Sequence, residues 1–156
     1  MAEGKKSVSE IINIWGGEEY LINYLKTLIE GYKPEIIVSH DGPSGAHEHF
    51  EHRAVGYIAE KTIDRIMHSE PDLIKGYIVS VDPLQTSFYP NSVAIDVISP
   101  VENGLSPRYL QITALFEYIT QADASVIGIE VLSNFSKEYY EIVFRNLDSS
   151  IEQYLF

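Results

Sequence analysis

Between Glu18 and Tyr32 the apolar positions Tyr20, Leu21, Tyr24, Leu25, Leu28 and Ile29 recur at three- and four-residue steps, the spacing that lines up one face of a helix. Gly16-Gly17 marks its start, and Gly31 with Pro34 beyond it marks its end. The next run, Glu35-Ile36-Ile37-Val38-Ser39, is short, β-branched and apolar on both faces, the pattern of a strand buried in a parallel sheet. A glycine-rich loop from His40 to Ala46, containing Pro43, follows. A second helix is then predicted from about His49 to Met67. Val55, Ile58, Ala59, Ile63 and Ile66 face inward on it, and Glu60, Lys61, Asp64 and Arg65 face outward. Strand-like runs at Gly76 to Val81 and Val93 to Val97 flank the turn-rich Asp82 to Asn91. Ser106-Pro107, an N-cap with proline at the first helical position, opens a helix through roughly Gln121. Ser136-Lys137-Glu138-Tyr139 offers a cap for a last helix.

Helices alternating with short buried strands predict an α/β fold, a Rossmann-like layered arrangement with a mostly parallel sheet. Only two or three strands are convincing, which is few for a complete doubly wound domain, whose sheet usually has about five or six. No repeat, linker or low-complexity segment divides the chain, and a single domain over 1–156 is expected.

Composition narrows the chemistry. The 156 residues are 45% hydrophobic, enough for a real core. A formal net charge of −12 repels phosphate backbones and anionic lipid surfaces, which argues against nucleic-acid and membrane partners. The chain has no cysteine, so a transition metal must be held by His, Asp or Glu. No apolar run is long enough for a signal peptide or membrane span, and a soluble cytoplasmic protein is the expectation. Glycines 42, 45 and 56 do not form a Gly-x-Gly-x-x-Gly phosphate motif, and no nucleophile elbow is present.

The least ordinary feature is the run His47-Glu48-His49-Phe50-Glu51-His52. With a helix beginning near His49, His49 and His52 are three residues apart and share one face of its first turn. They then look into the mouth of the loop after the Ile36 to Val38 strand, and ligands of open α/β sheets bind beyond the carboxyl ends of strands. Neutral imidazole ligates zinc at about 2.0–2.1 Å, and carboxylates can complete the set. Asp41, Glu48 and Glu51 stand nearby, and His40 ends the strand beside the cluster. His68, at a helix end, reads as an ordinary dipole-favoured histidine.

Here a family resemblance becomes specific. His49-Phe50-Glu51-His52-Arg53-Ala54-Val55-Gly56 is similar to the helix-opening motif of the LmbE-like zinc N-deacetylases, His-Pro-Asp-His followed by Arg-Ala-Val-Gly. Tyr32 to Asp41 resembles the strand before it, and Ala114 to Gln121 resembles a later segment that usually has His where Tyr118 stands. The resemblance implies that His52 is a zinc ligand, that His49 polarises the amide or protonates the leaving amine, and that Glu51 orients an imidazole. It implies a small-molecule N-acetylated substrate, a sugar or related amide. The family's first motif, Ala-His-Pro-Asp-Asp-Glu, which supplies a His and an Asp to zinc and the general base, does not occur in the sequence, so the resemblance implies a Rossmann-like domain missing its N-terminal strands, with which the low strand count agrees. His47 and Asp41 are the nearest replacements as metal ligands, and the site is expected to need a complementing segment or chain. An incomplete sheet also leaves an apolar edge, so a homo-oligomer or a complementing chain is expected there. The alternative is a non-catalytic metal- or ligand-binding domain of the same descent. A cupin-like site using His47 and His49 would need many short strands, and the helical periodicity after His52 argues against it.

Overall fold

Ser7 opens the first helix through a reciprocal cap. Its hydroxyl accepts from the N–H of Glu10 at 3.2 Å, and its own N–H donates to the Glu10 carboxylate at 2.6 Å. This Ser-x-x-Glu capping box stands directly before Ile11-Ile12 and opens a helix that the sequence reading did not predict. The computed structural model describes residues 7–43, 45, 49–101, 104–116 and 134–145. Helix α1 covers Val8–Ile14 and α2 Glu18–Tyr32. Strand β1 is Ile36–His40, helix α3 Phe50–Ser69, strand β2 Gly76–Val81 and strand β3 Val93–Asp96. Helix α4 follows at Pro107–Phe116 and strand β4 at Lys137–Arg145. The predicted extension of α4 to Gln121 lies outside the described residues.

Helix α2 spans the predicted residues but ends on Lys33, not Gly31: Lys33 takes the left-handed conformation at φ 48°, and its N–H donates to the Ile29 carbonyl. Its buried stripe is Ile22 and Ile29, while Tyr20 and Tyr24 are exposed and stack on each other at 6.2 Å. Phenol rings tolerate water at their tips, so the aliphatic stripe won the inward face. On α3, Ile58, Ala59, Ile63 and Ile66 are buried as expected, but Val55 is exposed and Thr62 takes an inward place. The Thr62 hydroxyl satisfies itself by donating to the Ile58 carbonyl at 2.7 Å.

Among the described residues the sheet is four-stranded, in the order β1-β2-β4-β3. β1 and β2 are parallel, whereas β4 runs antiparallel to both β2 and β3. The expected mostly parallel sheet is therefore corrected to an open mixed one with a single parallel pair. The cause is β4, which the cap-like Ser136 suggested would be a helix. Tyr139, Tyr140, Ile142, Val143 and Phe144 are aromatic or β-branched, and this strand preference outweighs one imperfect cap. Inserted between β2 and β3, β4 turns both of its pairings antiparallel.

β1 is an edge strand with Val38 58% exposed, so its predicted burial on both faces does not hold. That environment belongs to β2, where Tyr77, Ile78, Val79 and Val81 are all buried. Helices α2 and α3 cover one face: Ile29, Ala59, Ile63 and Ile66 pack with Tyr77, Val79 and half-buried Ile37. α1 packs behind them, Ile11 and Ile12 meeting Ile22, Ala54 and Ile58. Each such isoleucine contributes about 1.5–3 kcal/mol through burial. At the far side, the buried guanidinium of Arg108 reaches the Phe135 carbonyl at 2.9 Å and Gln111 at 2.8 Å, fastening α4 to the start of β4. Among the described residues no helix is long and apolar enough to cross a membrane.

Candidate functional site

The parallel pairing sets His40 opposite Ser80, so the loops after β1 and β2 leave the sheet at the same end. Gly56 brings α3 against the first of these loops. A Cβ at Gly56 would lie 2.6 Å from the His40 carbonyl oxygen and 2.7 Å from the Gly42 nitrogen, both backbone atoms, so only glycine fits the crossing. Gly45, at φ 57°, turns the loop back; its N–H donates to the Asp41 carbonyl at 2.8 Å.

This turn aims the Gly45 carbonyl at His52, whose Nδ1 lies 3.2 Å away. A carbonyl only accepts, so the bond places the hydrogen on Nδ1 and leaves the Nε2 lone pair available. The ring of His40 lies against that of His52, with centroids 4.2 Å apart and planes 12° apart. His49 closes on the same ring from the helix start, at 5.0 Å and 33°. The half-buried His40 is pushed below its ordinary pKa, first by burial and then by its neighbour His52, so it is held neutral. Its Nδ1 is buried and has no hydrogen-bond partner among the described residues.

His49 is the N-cap of α3, but its side chain makes no capping bond. Its Nδ1–H instead donates to the Glu51 carboxylate at 3.0 Å, with both side chains largely exposed. The Glu51 carboxyl is held below the usual range, first by its own backbone N–H and then with help from His49. Asp41 is buried, and one of its oxygens accepts from the Tyr89 hydroxyl at 2.5 Å.

Of the predicted site residues, His49 and His52 converge as the helical spacing required. Glu51 orients an imidazole, that of His49; His52 is oriented by the Gly45 carbonyl. Asp41 stands one residue beyond His40, inside the protein. His47, Glu48 and Tyr118 lie outside the described residues. His68 is the ordinary helix-end histidine expected, its Nδ1–H donating to the Asp64 carbonyl at 2.6 Å. Three participants escaped the sequence reading: the packing of His40 on His52, the Gly45 carbonyl and Tyr89. The glycine pair at 45 and 56 carried a signal for the first two, because close backbone approach needs such residues; no local spacing connects position 89 to position 41.

Imidazole and carboxylate are the donor types zinc accepts, and a histidine whose Nδ1–H is tied to a carbonyl is oriented as metal-bound histidines commonly are. Among the described residues, no group of three or more His, Asp or Glu side chains is disposed to hold a metal ion. Comparison of the chain with protein-family models, with curated proteins and with solved structures gives no match.

Proposed function

We propose that the chain is a zinc-dependent N-deacetylase-like hydrolase domain acting on an N-acetylated sugar or related small amide. One observation carries the reading: the Gly45 carbonyl and the flat face of His40 together fix the His52 ring, with its hydrogen on Nδ1, at the carboxyl end of a strand. A neutral neighbour does not repel a cation, and a fixed ring loses little freedom on binding one. In this reading His52 is a ligand, with Asp41 and His47 as the further donors. A zinc ion held there would supply Lewis acidity and lower the pKa of a water. His49, held by Glu51, stands beside this position to polarise the carbonyl or protonate the leaving amine.

The fold supports the same reading. β1, α3 and the parallel β2 form the crossover unit from which Rossmann-like layers are built. A net charge of −12 favours a neutral small substrate in the cytoplasm over nucleic acid or anionic membrane. The open edge at β1 suits a second copy or a complementing chain, which would supply the general base absent from this sequence. A non-catalytic metal- or ligand-binding domain derived from the same fold is the second reading, for which the packed rings of His40, His49 and His52 are a binding cluster that needs no general base.

The test is metal content and zinc titration of the purified protein with His52→Ala and His49→Ala. His52→Ala is expected to lose zinc and His49→Ala to keep it; equal zinc in all three proteins removes the site. Amine release from N-acetylglucosamine then separates the two readings. Zinc binding without hydrolysis, even beside a complementing chain, selects the non-catalytic domain.

A further inference from the structure

Gly16 at φ 114° and Gly17 at φ 93° turn the chain between α1 and α2, so that Glu18, the first residue of α2, shares a cavity with α1. The cavity, of about 340 Å³, is lined by Val8, Ser9, Ile12 and Asn13 of α1, by Glu18, and by Tyr57 of α3. Small-ligand pockets begin at roughly this size. Its floor is apolar: Ile12 is buried, and half-buried Val8 and Tyr57 pack on the same cluster as Ile11, Ala54 and Ile58. Ser9, Asn13 and Glu18 are exposed and form its polar rim.

The rim carries an unbalanced negative charge. The Tyr57 hydroxyl donates to Oε2 of Glu18 at 3.2 Å, which fixes the carboxylate without neutralising it. Among the described residues Glu18 makes no ion pair. The guanidinium of Arg65 feels its charge, yet bonds both oxygens of Glu19 at 2.8 and 3.0 Å. Lys61 does not line the cavity; its Nζ stands over the Tyr57 ring, 5.5 Å from the centre.

We propose that this cavity binds a small organic ammonium ion, a primary amine with an apolar body. The ammonium bonds the Glu18 carboxylate at the rim, and the body lies on Val8, Ile12 and the Tyr57 ring. An anion is repelled by Glu18 and by the net charge of −12, which also gathers cations around the protein. A neutral apolar molecule would strip water from the carboxylate and return no hydrogen bond. A bare metal ion would find one carboxylate where calcium takes about six to eight oxygen ligands. No histidine takes part, so the site stands or falls apart from the reading of the histidine cluster.

The experiment is titration of the full chain with benzylamine, followed by backbone amide chemical shifts, with benzyl alcohol as the neutral counterpart. Benzylamine, protonated at pH 7 as lysine is, should give saturable shifts at Ser9, Asn13 and Tyr57 with a Kd of about millimolar. Benzyl alcohol should bind more weakly. Glu18→Gln keeps an acceptor for the Tyr57 hydroxyl and removes the charge, so it should weaken benzylamine about fivefold and leave benzyl alcohol unchanged. Ser9→Phe, at an exposed position, puts a ring in the cavity and should abolish the shifts, with urea unfolding checking that both variants fold. Equal binding of the two probes by the unaltered chain, or wild-type affinity for benzylamine in Glu18→Gln, overturns recognition of the ammonium. Shifts that never saturate and spread over the acidic surface, or no shifts at all in the unaltered chain, overturn the site. Zinc content of the same samples decides the histidine cluster and has no bearing on these outcomes.

Discussion

The imidazole of His40 lies face to face with that of His52, centroids 4.2 Å apart and planes 12° from parallel, joining the last residue of β1 to the first turn of α3. Two protonated rings cannot share such a stack cheaply. Burial and His52 both hold His40 below its ordinary value of 6.5. The unfolded chain therefore binds the proton at a higher pH than the fold does, and stability falls as pH drops through and below the unfolded value. Thermal unfolding in the presence of a chelator, followed from pH 8 to pH 5, should show the midpoint falling below about pH 6.5. His40→Gln should flatten that slope; an unchanged slope in the variant would assign the pH dependence to other groups.

Gly56 is the second determinant of the crossing. Alanine in place of glycine ordinarily stabilises a helix by about 1 kcal/mol. At Gly56 the added methyl group would meet the backbone of His40 and Gly42 inside 3 Å, and neither can swing aside as a flexible side chain would. Gly56→Ala is expected to cost about 1–3 kcal/mol in urea unfolding. Gly31→Ala, in α2 with nothing within 4 Å of the added carbon, is the control and should be neutral or stabilising. Similar effects at both positions would show that the close approach does not matter.

Much of this arrangement was legible because it is local. The 3.6-residue rhythm gives α2 and α3, β-branched runs give β1 and β2, and a three-residue spacing on a helix start is enough to bring His49 to His52. What failed involved partners distant along the chain. Lys137 to Arg145 carries both a cap-like serine and a strand-forming composition, and its place between β2 and β3 decides the matter, through pairings that local pattern does not reveal. Tyr20 and Val55 carry the inward spacing yet remain exposed, because apolar spacing marks a broad stripe and the neighbouring elements select its edges. Tyr89 meets Asp41 only because two parallel strands release their loops at one end, a consequence of topology that neither segment encodes alone.

Tyr77, at the centre of the sheet, gives an alkaline signature. It is 2% exposed, and burial pushes its hydroxyl up to about 12, against a smaller opposing effect of the nearby Ser39 hydroxyl. The neutral phenol is thus favoured in the fold, while the unfolded chain ionises near 10. Stability contributed by keeping Tyr77 neutral is intact below pH 10 and is lost as pH rises from there toward about 12. Ultraviolet titration should show a late phenol component coinciding with unfolding. Tyr77→Phe should remove one phenol from that late component, and its persistence at full amplitude would contradict the assignment.

Val38 tests the open edge. It stands in the middle of β1, 58% exposed, on a strand whose partner among the described residues is β2 alone. Edge strands that avoid association commonly carry lysine, proline or a bulge, and Ile36-Ile37-Val38-Ser39-His40 has neither of those residues and pairs with β2 in unbroken register. Val38→Lys places a charge at an already solvated position, so unfolding free energy should change by no more than about 0.5 kcal/mol. Association through the edge should nevertheless weaken, since a second strand would have to bury the ammonium. Sedimentation velocity across a concentration series is expected to show a mass increase for the wild type that Val38→Lys reduces. Identical sedimentation of the two proteins would place any contact between copies on another surface, and a complementing strand at β1 would then need a partner of different sequence.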